Sequence, residues 1–223
     1  MIPLRDVIPS RTTPYITVTI IILNALAWLF EVSLDPDTLN RFLAVYGVVP
    51  AFFSAPTLIT SMFLHGGWMH IIGNMWYLWI FGDNVEDRLG HGRFIVFYLL
   101  CGIAAALGQV FMDPTSTLPT IGASGAIAGV MGAYFVLYPQ SRVLTLIPWI
   151  IIWEVIELPA YVLLGFWFLM QLFSAGSIAV TASSHGSGGV AFAAHVAGFL
   201  VGVAGVFVFR KRDTNRWEGA DYF

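Results

Sequence analysis

The chain has 223 residues, of which 58% are hydrophobic and only 10% are charged. A soluble domain usually carries roughly a quarter charged residues, so this composition excludes an ordinary soluble protein and indicates one that lies mostly within a membrane. The net charge of −3 comes with no basic patch outside the termini, which argues against a nucleic-acid partner. Cys101 is the only cysteine, so no disulfide can form within the chain.

Six apolar runs follow one another along the chain, each near the length of about 20 residues that crosses a bilayer. The first run continues past Ala25-Leu26-Ala27, which favours a retained span over a cleaved signal peptide. We predict an all-α membrane protein, a bundle of six transmembrane helices in which residues 15–209 form one membrane domain between tails at 1–14 and 210–223. The predicted spans are residues 15–32, 66–82, 93–112, 121–138, 157–175 and 189–209.

The positions of Lys and Arg predict how the bundle is oriented. If both termini are cytoplasmic, nine of the ten Lys and Arg residues fall in cytoplasmic segments and only Arg41 lies on the other side. Such an excess is typical of the cytoplasmic face, and it requires an even number of spans. The short segment before the first span, with no Arg- and Ser-rich transit sequence, favours a prokaryotic plasma membrane.

Two connecting segments differ from simple loops. Residues 33–60 are rich in Phe and Tyr, which predicts a segment that lies in the non-cytoplasmic interface of the membrane. Residues 143–175 are too long for one span, and Glu154 and Glu157 interrupt the run. We predict an interfacial segment on the cytoplasmic side over 143–156, with both glutamates at that interface, followed by a short fifth span.

One serine and one histidine lie at membrane depth, where a polar side chain is costly to keep without a function. Ser124 stands in Gly122-Ala123-Ser124-Gly125 at the start of the fourth span, and His195 stands in Ala194-His195-Val196-Ala197-Gly198 about two turns into the sixth. At about 1.5 Å per residue, both fall near one depth on the non-cytoplasmic side. A hydroxyl and an imidazole together make an activated nucleophile, which predicts catalysis; the alternative is that Ser124 is only a helix N-cap.

Small residues line one face of the fourth span and one face of the sixth. Such stripes let membrane helices approach closely, and here they would bring Ser124 within hydrogen-bond reach of His195. Ordinary helix packing without catalysis is the alternative. The stripes comprise Ser124, Ala128 and Gly132, with Gly125 and Gly129 as a second pair, on the fourth span, and Ala191, His195, Gly198, Gly202 and Gly205 on the sixth. The glycines that we expect to pack the helices beside the site are Gly122, Gly125, Gly198 and Gly202.

His70 and Asn74 lie four residues apart near the non-cytoplasmic end of the second span, so they share one helix face. Both side chains can donate hydrogen bonds, and with the backbone N–H of Ser124 they would stabilise an oxyanion. The alternative is that they only satisfy each other or nearby backbone. No Asp or Glu lies at this depth in the second, fourth or sixth span, which favours a Ser-His dyad over a triad with an acid.

Two other kinds of function fit the sequence less well. The spacing of the histidines does not match a zinc signature such as H-E-x-x-H, so we predict neither a metal nor another cofactor. No inverted repeat is visible, and the ionisable residues do not form a path across the bilayer, which disfavours a transporter. The histidines considered for the metal site are His65, His70, His185 and His195.

Four segments together form a specific pattern that runs from the second span to the sixth. They are His65-Gly66-Gly67-Trp68-Met69-His70 with Asn74, then Phe81-Gly82-Asp83-Asn84-Val85-Glu86-Asp87, then Gly122-Ala123-Ser124-Gly125, then Ala194-His195-Val196-Ala197-Gly198 with Gly202. In this order they resemble the rhomboid family of intramembrane serine proteases. The resemblance implies a six-helix core with an interfacial first loop and a fifth helix that serves as a mobile gate for the substrate.

The resemblance also implies a role for each site residue. Ser124 would be the nucleophile and His195 the general base, while His70, Asn74 and the Ser124 backbone N–H would form the oxyanion hole. Some family members carry an aromatic residue one turn after the serine, stacked on the catalytic histidine. Here that position is Ala128, so the sequence leaves open what orients His195.

The sequence thus predicts an endopeptidase that cleaves single-span membrane proteins near the non-cytoplasmic face of the bilayer through an acyl-enzyme. The predicted partners are transmembrane substrates and the lipid bilayer, with no nucleic acid, and no oligomeric state is predicted. The alternative is a non-catalytic rhomboid-like protein that binds unstable membrane helices. The presence of both Ser124 and His195 argues against that alternative, because a pure binder needs neither.

Overall fold

A computed structural model of the chain describes residues 1–148, 153–181 and 192–211, with the backbone alone for 174–181. The fold is mostly helical, at 68% helix, and a small sheet adds to the helices. The helices in the described part are α1 (Tyr15–Glu31), α2 (Pro36–Tyr46), α3 (Thr57–Thr60), α4 (Trp68–Leu89), α5 (His91–Met112), α6 (Ser124–Leu137), α7 (Ala160–Thr181) and α8 (Phe192–Phe209). The strands are β1 (Ile2–Asp6), β2 (Arg142–Pro148) and β3 (Trp153–Pro159).

A long helix lies at the position of each predicted span, with shifted ends. Helix α4 continues seven residues past the predicted end at 82, because its polar last turns find partners in the N-terminal segment. Helix α6 begins at Ser124 and not at 121, because Gly122 adopts a φ of +120°, which is incompatible with a right-handed helix. Helix α8 is described from Phe192, so His195 lies in its first described turn, and residues 189–191 lie outside the described part.

A three-stranded antiparallel sheet corrects the prediction of an all-α fold. Strand β2 pairs with both β1 and β3, so strands form within the tail 1–14 and within the segment 143–156, where we predicted none. Burial alternates along β2, with Val143 and Thr145 inside, which is the period of a strand and not of a helix. The apolar run over 143–156 concealed this alternation, because most residues on both faces are hydrophobic.

The end of α4 holds the start of α1 in place. The fully buried carboxylate of Glu86 accepts hydrogen bonds from the backbone N–H groups of Ile16 (2.9 Å) and Thr17 (2.8 Å). These N–H groups lie in the first turn of α1, where a helix leaves its donors unpaired and favours a negative charge. The adjacent Asp87 accepts from the backbone N–H of Arg11 at 2.6 Å. The motif around residues 81–87 therefore supports the fold at the end of the bundle that carries the sheet.

Asp6 joins the sheet to the bundle. Its Oδ2 accepts hydrogen bonds from the Tyr134 hydroxyl on α6 (2.7 Å) and from the Asn84 amide on α4 (3.0 Å). The pKa of the Asp6 carboxyl is raised from 3.8 to about 6, mainly by burial and also by the nearby Asp83, against the lowering effect of the Tyr134 hydrogen bond. The charged form of Asp6 is therefore disfavoured in the folded protein.

We expect this carboxyl to make stability depend on pH. The folded state binds the Asp6 proton more tightly than the unfolded state, so the contribution of this carboxyl to the free energy of unfolding is fully present below pH 3.8 and is lost as the pH rises through about 6. After allowance for solvent screening the loss is about 1 kcal/mol. Thermal unfolding in detergent at pH 4 and pH 7 should show a smaller fall for Asp6→Asn than for the wild type. Asp37→Asn, on the exposed α2, is the control, and an equal fall in all three proteins would contradict the assignment.

Helix α6 lies at the centre of the bundle and packs against α4, α5 and α8. Every residue from Gly125 to Tyr134 is buried. The closest approach is to α8, where a Cβ placed on Gly198 would lie 2.1 Å from the Gly125 carbonyl oxygen and one on Gly202 would lie 2.0 Å from that of Gly129. The two backbones are therefore in contact, as the small-residue stripes predict.

The outer surface of the bundle is strongly apolar. Phe111, Val208 and Phe173 are exposed by 85%, 79% and 76%, a pattern that soluble monomers avoid and that a lipid environment stabilises. In the described part, α5 and α8 are long and apolar enough to cross a membrane by length and composition. Shorter apolar helices cover Tyr15–Glu31, Ser124–Leu137 and Ala160–Phe173.

The segment between α1 and α4 is helical over much of its length. Asp35 caps α2 by accepting hydrogen bonds from the backbone N–H groups of Asp37 and Thr38, and no residue of α2 is buried. Phe42 on α2 stacks edge-on against Phe30 of α1, with ring centroids 5.3 Å apart. The position of the segment 33–60 in the membrane interface remains a prediction.

Candidate active site

Ser124 and His195 meet at the end of the bundle opposite the sheet. Ser124 is the first residue of α6, and His195 faces it from α8. The Ser124 Oγ and the His195 Nε2 are 2.7 Å apart, which is hydrogen-bond distance. The close contact of α6 and α8 through Gly125 and Gly198 brings the two side chains together.

The chain that leads into Ser124 is held in a fixed shape. The backbone of Thr120 pairs with that of Val48 through two hydrogen bonds of 3.0 and 2.8 Å. Gly122 donates its N–H to the Ser61 carbonyl at 2.9 Å, and its φ of +120° lies in the region that favours glycine. Gly122 therefore gives the backbone its shape beside the site; its predicted role in helix packing stays a prediction.

His70 and Asn74, on α4, face the same point. The His70 Nδ1 accepts a hydrogen bond from the Gly66 N–H at 3.2 Å, so in the neutral ring the proton lies on Nε2. A Cβ placed on Gly122 would lie 2.7 Å from this Nε2 and 3.7 Å from the Asn74 Nδ2. The buried Asn74 Nδ2 has no hydrogen-bond partner within the described part of the chain. Two donors thus lie close to the backbone next to Ser124.

A second pair of polar groups lies beside these donors. His65 is buried, its backbone N–H donates to the buried Glu31 carboxylate at 3.1 Å, and its ring centroid is 5.0 Å from that of His70. Within the described residues, no group of three His, Cys, Asp or Glu side chains is placed to hold a metal ion. His185 lies outside the described part.

A small cavity of about 30 Å³ lies beside the nucleophile. It lies between the start of α6, the loop before it and the neighbouring helices, and its volume is about that of one water molecule. The lining residues include Ser61, Met62, Thr120, Gly122, Ser124 and Ala194.

A contact that the sequence analysis did not identify involves Gln171 on α7. Its Oε1 lies 2.7 Å from the His195 Nδ1, on the opposite side of the ring from Ser124. Gln171 is the only strongly polar side chain between Ala160 and Phe173, where a polar group is costly. That isolation in an apolar run was the signal that could have identified it.

Comparison with known proteins identifies the family. A family model of the rhomboid domain matches residues 53–212, which is most of the chain. The chain belongs to the rhomboid family.

Several curated rhomboid relatives are similar to this chain. Rhomboid-like protein 11, chloroplastic, of Arabidopsis thaliana is 27% identical over 84% of this chain and 66% of its own length. Putative rhomboid protease YdcA of Bacillus subtilis (strain 168) is 33% identical over 56% of this chain and 62% of its own length. Rhomboid protease GluP of the same organism is 38% identical over 38% of this chain and 16% of its own length. The chain matches less than two thirds of the length of each of these relatives.

Family membership and the apolar exterior together show that this rhomboid is a membrane protein. Its relatives include intramembrane serine peptidases and inactive homologues. The name of the family therefore leaves two classes of function, and the geometry at Ser124 decides which of them we propose.

The rhomboid departs from some family members in the surroundings of the histidine. Ala128, at the position of their stacked aromatic residue, is buried. Among the described residues, the aromatic ring nearest to His195 is instead that of Trp167 on α7, at 5.8 Å between centroids and with the planes tilted by 39°. Trp167 lies one turn before Gln171, so α7 presents both residues to the imidazole.

Proposed function

We propose that this rhomboid is an intramembrane serine endopeptidase with a Ser124–His195 dyad. The observation that carries the proposal is the 2.7 Å contact between the serine Oγ and the His195 Nε2. A general base within this distance of a hydroxyl can take its proton as the oxygen attacks a carbonyl carbon.

The reaction proceeds in two halves. In the first, the Ser124 oxygen bonds to the peptide carbonyl carbon, His195 takes the hydroxyl proton, and the imidazolium then protonates the leaving amine as the C–N bond breaks. In the second, water loses a proton to His195 and attacks the acyl-enzyme, which releases the new carboxyl end and returns the proton to Ser124.

The oxyanion formed in each half needs hydrogen-bond donors at the carbonyl oxygen. We assign this role to the His70 Nε2–H, the Asn74 amide and the Ser124 backbone N–H. The support is the closeness of the first two groups to Gly122 and the position of the third at the start of α6, where helix N–H groups lack intrahelical partners.

The substrates that this site fits are single-span membrane proteins, cut near the non-cytoplasmic face of the bilayer. A stable helix hides its carbonyls in its own hydrogen bonds, so we expect a helix-weakening Gly, Pro or polar residue at the cleavage site. The distribution of Lys and Arg supports six spans with both termini in the cytoplasm, and we propose a prokaryotic plasma membrane.

A serine-reactive probe tests the proposal directly. Purified protein in detergent is treated with a fluorophosphonate, and the labelled peptide is identified by mass spectrometry. We expect label on Ser124 in the wild type, none in Ser124→Ala, and strongly reduced label in His195→Ala. Absence of label in a folded wild type would instead favour the non-catalytic binder of unstable membrane helices.

The oxyanion-hole assignment gives a separate expectation. His70→Ala and Asn74→Ala should each lower kcat by about 10²-fold to 10³-fold, because each removes a donor that acts in the transition state. The measurement is cleavage of a single-span substrate in proteoliposomes. Gly73→Ala, on the same helix with nothing within 4 Å of the added Cβ, is the matched control. Variants that keep kcat within a factor of two would remove these residues from the oxyanion hole.

A further inference from the structure

We propose that Gln171 is the residue that positions His195, so that Ser124, His195 and Gln171 work together as a triad in which an amide takes the place of the acid. This inference rests on the proposed function and deepens it. In the described part of the chain, the hydrogen bonds of the His195 ring go to Ser124 at 2.7 Å and to Gln171 at 2.7 Å. The two partners lie on opposite ring nitrogens, which is the arrangement that a positioned base requires.

The contact with Gln171 determines which nitrogen is the base. A neutral imidazole has one N–H donor and one acceptor nitrogen. Because the Gln171 Oε1 accepts from Nδ1–H, the proton is held there and the Nε2 lone pair faces the Ser124 hydroxyl. The opposite tautomer would place a proton between Nε2 and Ser124 and leave the serine without a base.

An amide also suits the location better than a carboxylate does. His195 is only 8% exposed and α7 is apolar over Ala160–Phe173, so a carboxylate there would lose its hydration without a counter-ion. The amide oxygen still accepts the Nδ1 hydrogen bond, and that bond strengthens when the ring becomes an imidazolium in the transition state. Gln171 therefore supports the charge that forms without bringing a charge of its own.

The orientation of His195 is fixed from one helix. Trp167 and Gln171 are four residues apart on α7, so they share a face, and both lie against the imidazole. The tilted Trp167 ring limits rotation of the imidazole, while the Gln171 oxygen selects the tautomer. Together they replace the aromatic residue whose place Ala128 takes on α6.

Two substitutions at Gln171 separate positioning from packing. Gln171→Met keeps the length of the side chain and removes the acceptor, and it should lower kcat by about 10-fold to 100-fold with KM unchanged. Gln171→Glu keeps an acceptor at the same reach and should retain more activity than Gln171→Met at neutral pH. Gln109→Met on α5 makes the same chemical change where the amide oxygen has no partner in the described structure, and it should leave kcat unchanged.

The pH profile provides a readout that a merely structural role would not move. The acidic side of the kcat/KM profile should move to higher pH in Gln171→Glu, because a carboxylate favours the imidazolium. Of the groups that face His195 in the described part, Ser124 on α6 and Gln171 on α7 carry no charge, and His70 on α4 is the titratable group that acts on the ring through space. His70→Gln in combination with Gln171→Glu therefore checks that the shift does not come from His70.

The tautomer can also be observed without catalysis. In ¹⁵N-histidine-labelled Ser124→Ala protein at neutral pH, Nδ1 of His195 should give a protonated-type shift and Nε2 an unprotonated-type shift. Adding Gln171→Met should make the two shifts approach a mixture. The His195 signals are identified by their loss in His195→Gln.

The outcomes distinguish this inference from the proposed function. If the wild type cleaves its substrate and Gln171→Met cleaves equally well with an unchanged tautomer, the positioning role is wrong and the dyad stands. If the wild type neither cleaves nor reacts with the fluorophosphonate, the endopeptidase proposal is wrong whatever Gln171 does. A loss of kcat in Gln171→Met with an altered tautomer supports the positioning role of Gln171.

Discussion

Ser124→Ala and His195→Ala should each lower the cleavage rate of a single-span substrate by about 10⁴-fold or more. The first removes the atom that bonds to the substrate and the second removes the base that lies 2.7 Å from it. The two losses should not add, because a nucleophile and its base act as one unit. The double variant should therefore be about as inactive as either single variant.

The measurement is cleavage in proteoliposomes, with release of the soluble fragment followed by gel or mass spectrometry. Both variants should remain folded, since neither side chain supports the contact between α6 and α8, which is made by glycines. Ser33→Ala is the control, because it makes the same change at an exposed serine after α1 that lies outside the proposed site. A Ser124→Ala protein that keeps a tenth of the wild-type activity would disprove the nucleophile.

The same base imposes a dependence on acid. Only a neutral His195 can take the Ser124 proton, so cleavage should slow as the pH falls and the ring becomes charged. The profile is measured with the substrate in excess and with stability checked at each pH, because Asp6 makes the fold itself respond to pH. A rate that stays constant down to pH 4 would contradict the assignment of His195 as the base.

The pairing of Ser124 with His195 was predictable because two independent patterns agreed. The serine and the histidine lie at similar depth, and each stands on a stripe of small residues at helical spacing. Glycine stripes leave little freedom in how two helices meet, so the sequence also determines which side chains face each other. The structure places Gly198 against Gly125 and Gly202 against Gly129.

The sheet and Gln171 were not predicted, for different physical reasons. Strands β2 and β3 carry hydrophobic residues on both faces, so their alternation is hidden and the segment resembles an interrupted helix. The pairing of β2 with β1 joins residues about 140 positions apart, which no local pattern reports. Gln171 contacts His195 across two helices, and only its isolation in an apolar run marked it.

Gly202→Ala should destabilise the bundle by about 3 kcal/mol, the upper part of the usual range for overpacking. The added Cβ would lie 2.0 Å from the Gly129 carbonyl oxygen and 2.6 Å from two further backbone atoms of that residue. A side chain could turn aside, but a helix backbone cannot, so α6 and α8 must separate. Thermal unfolding in detergent should show a clear fall in Tm, whereas Gly73→Ala, with nothing within 4 Å, should be unchanged or slightly more stable.

Gly198→Ala makes the same change next to the dyad and should damage catalysis as well as stability. Its Cβ would lie 2.1 Å from the carbonyl oxygen of Gly125, the residue that follows Ser124, and Gly198 is three residues after His195. Separation of the helices at this point lengthens the hydrogen bond between the serine and the imidazole, and a displacement of about 1 Å can cost about 10²-fold in rate. We expect the fraction of Gly198→Ala that remains folded to cleave about 100-fold more slowly than the folded fraction of Gly202→Ala. If both glycine variants matched Gly73→Ala in Tm and in rate, the contact between the two backbones would not be what holds Ser124 against His195.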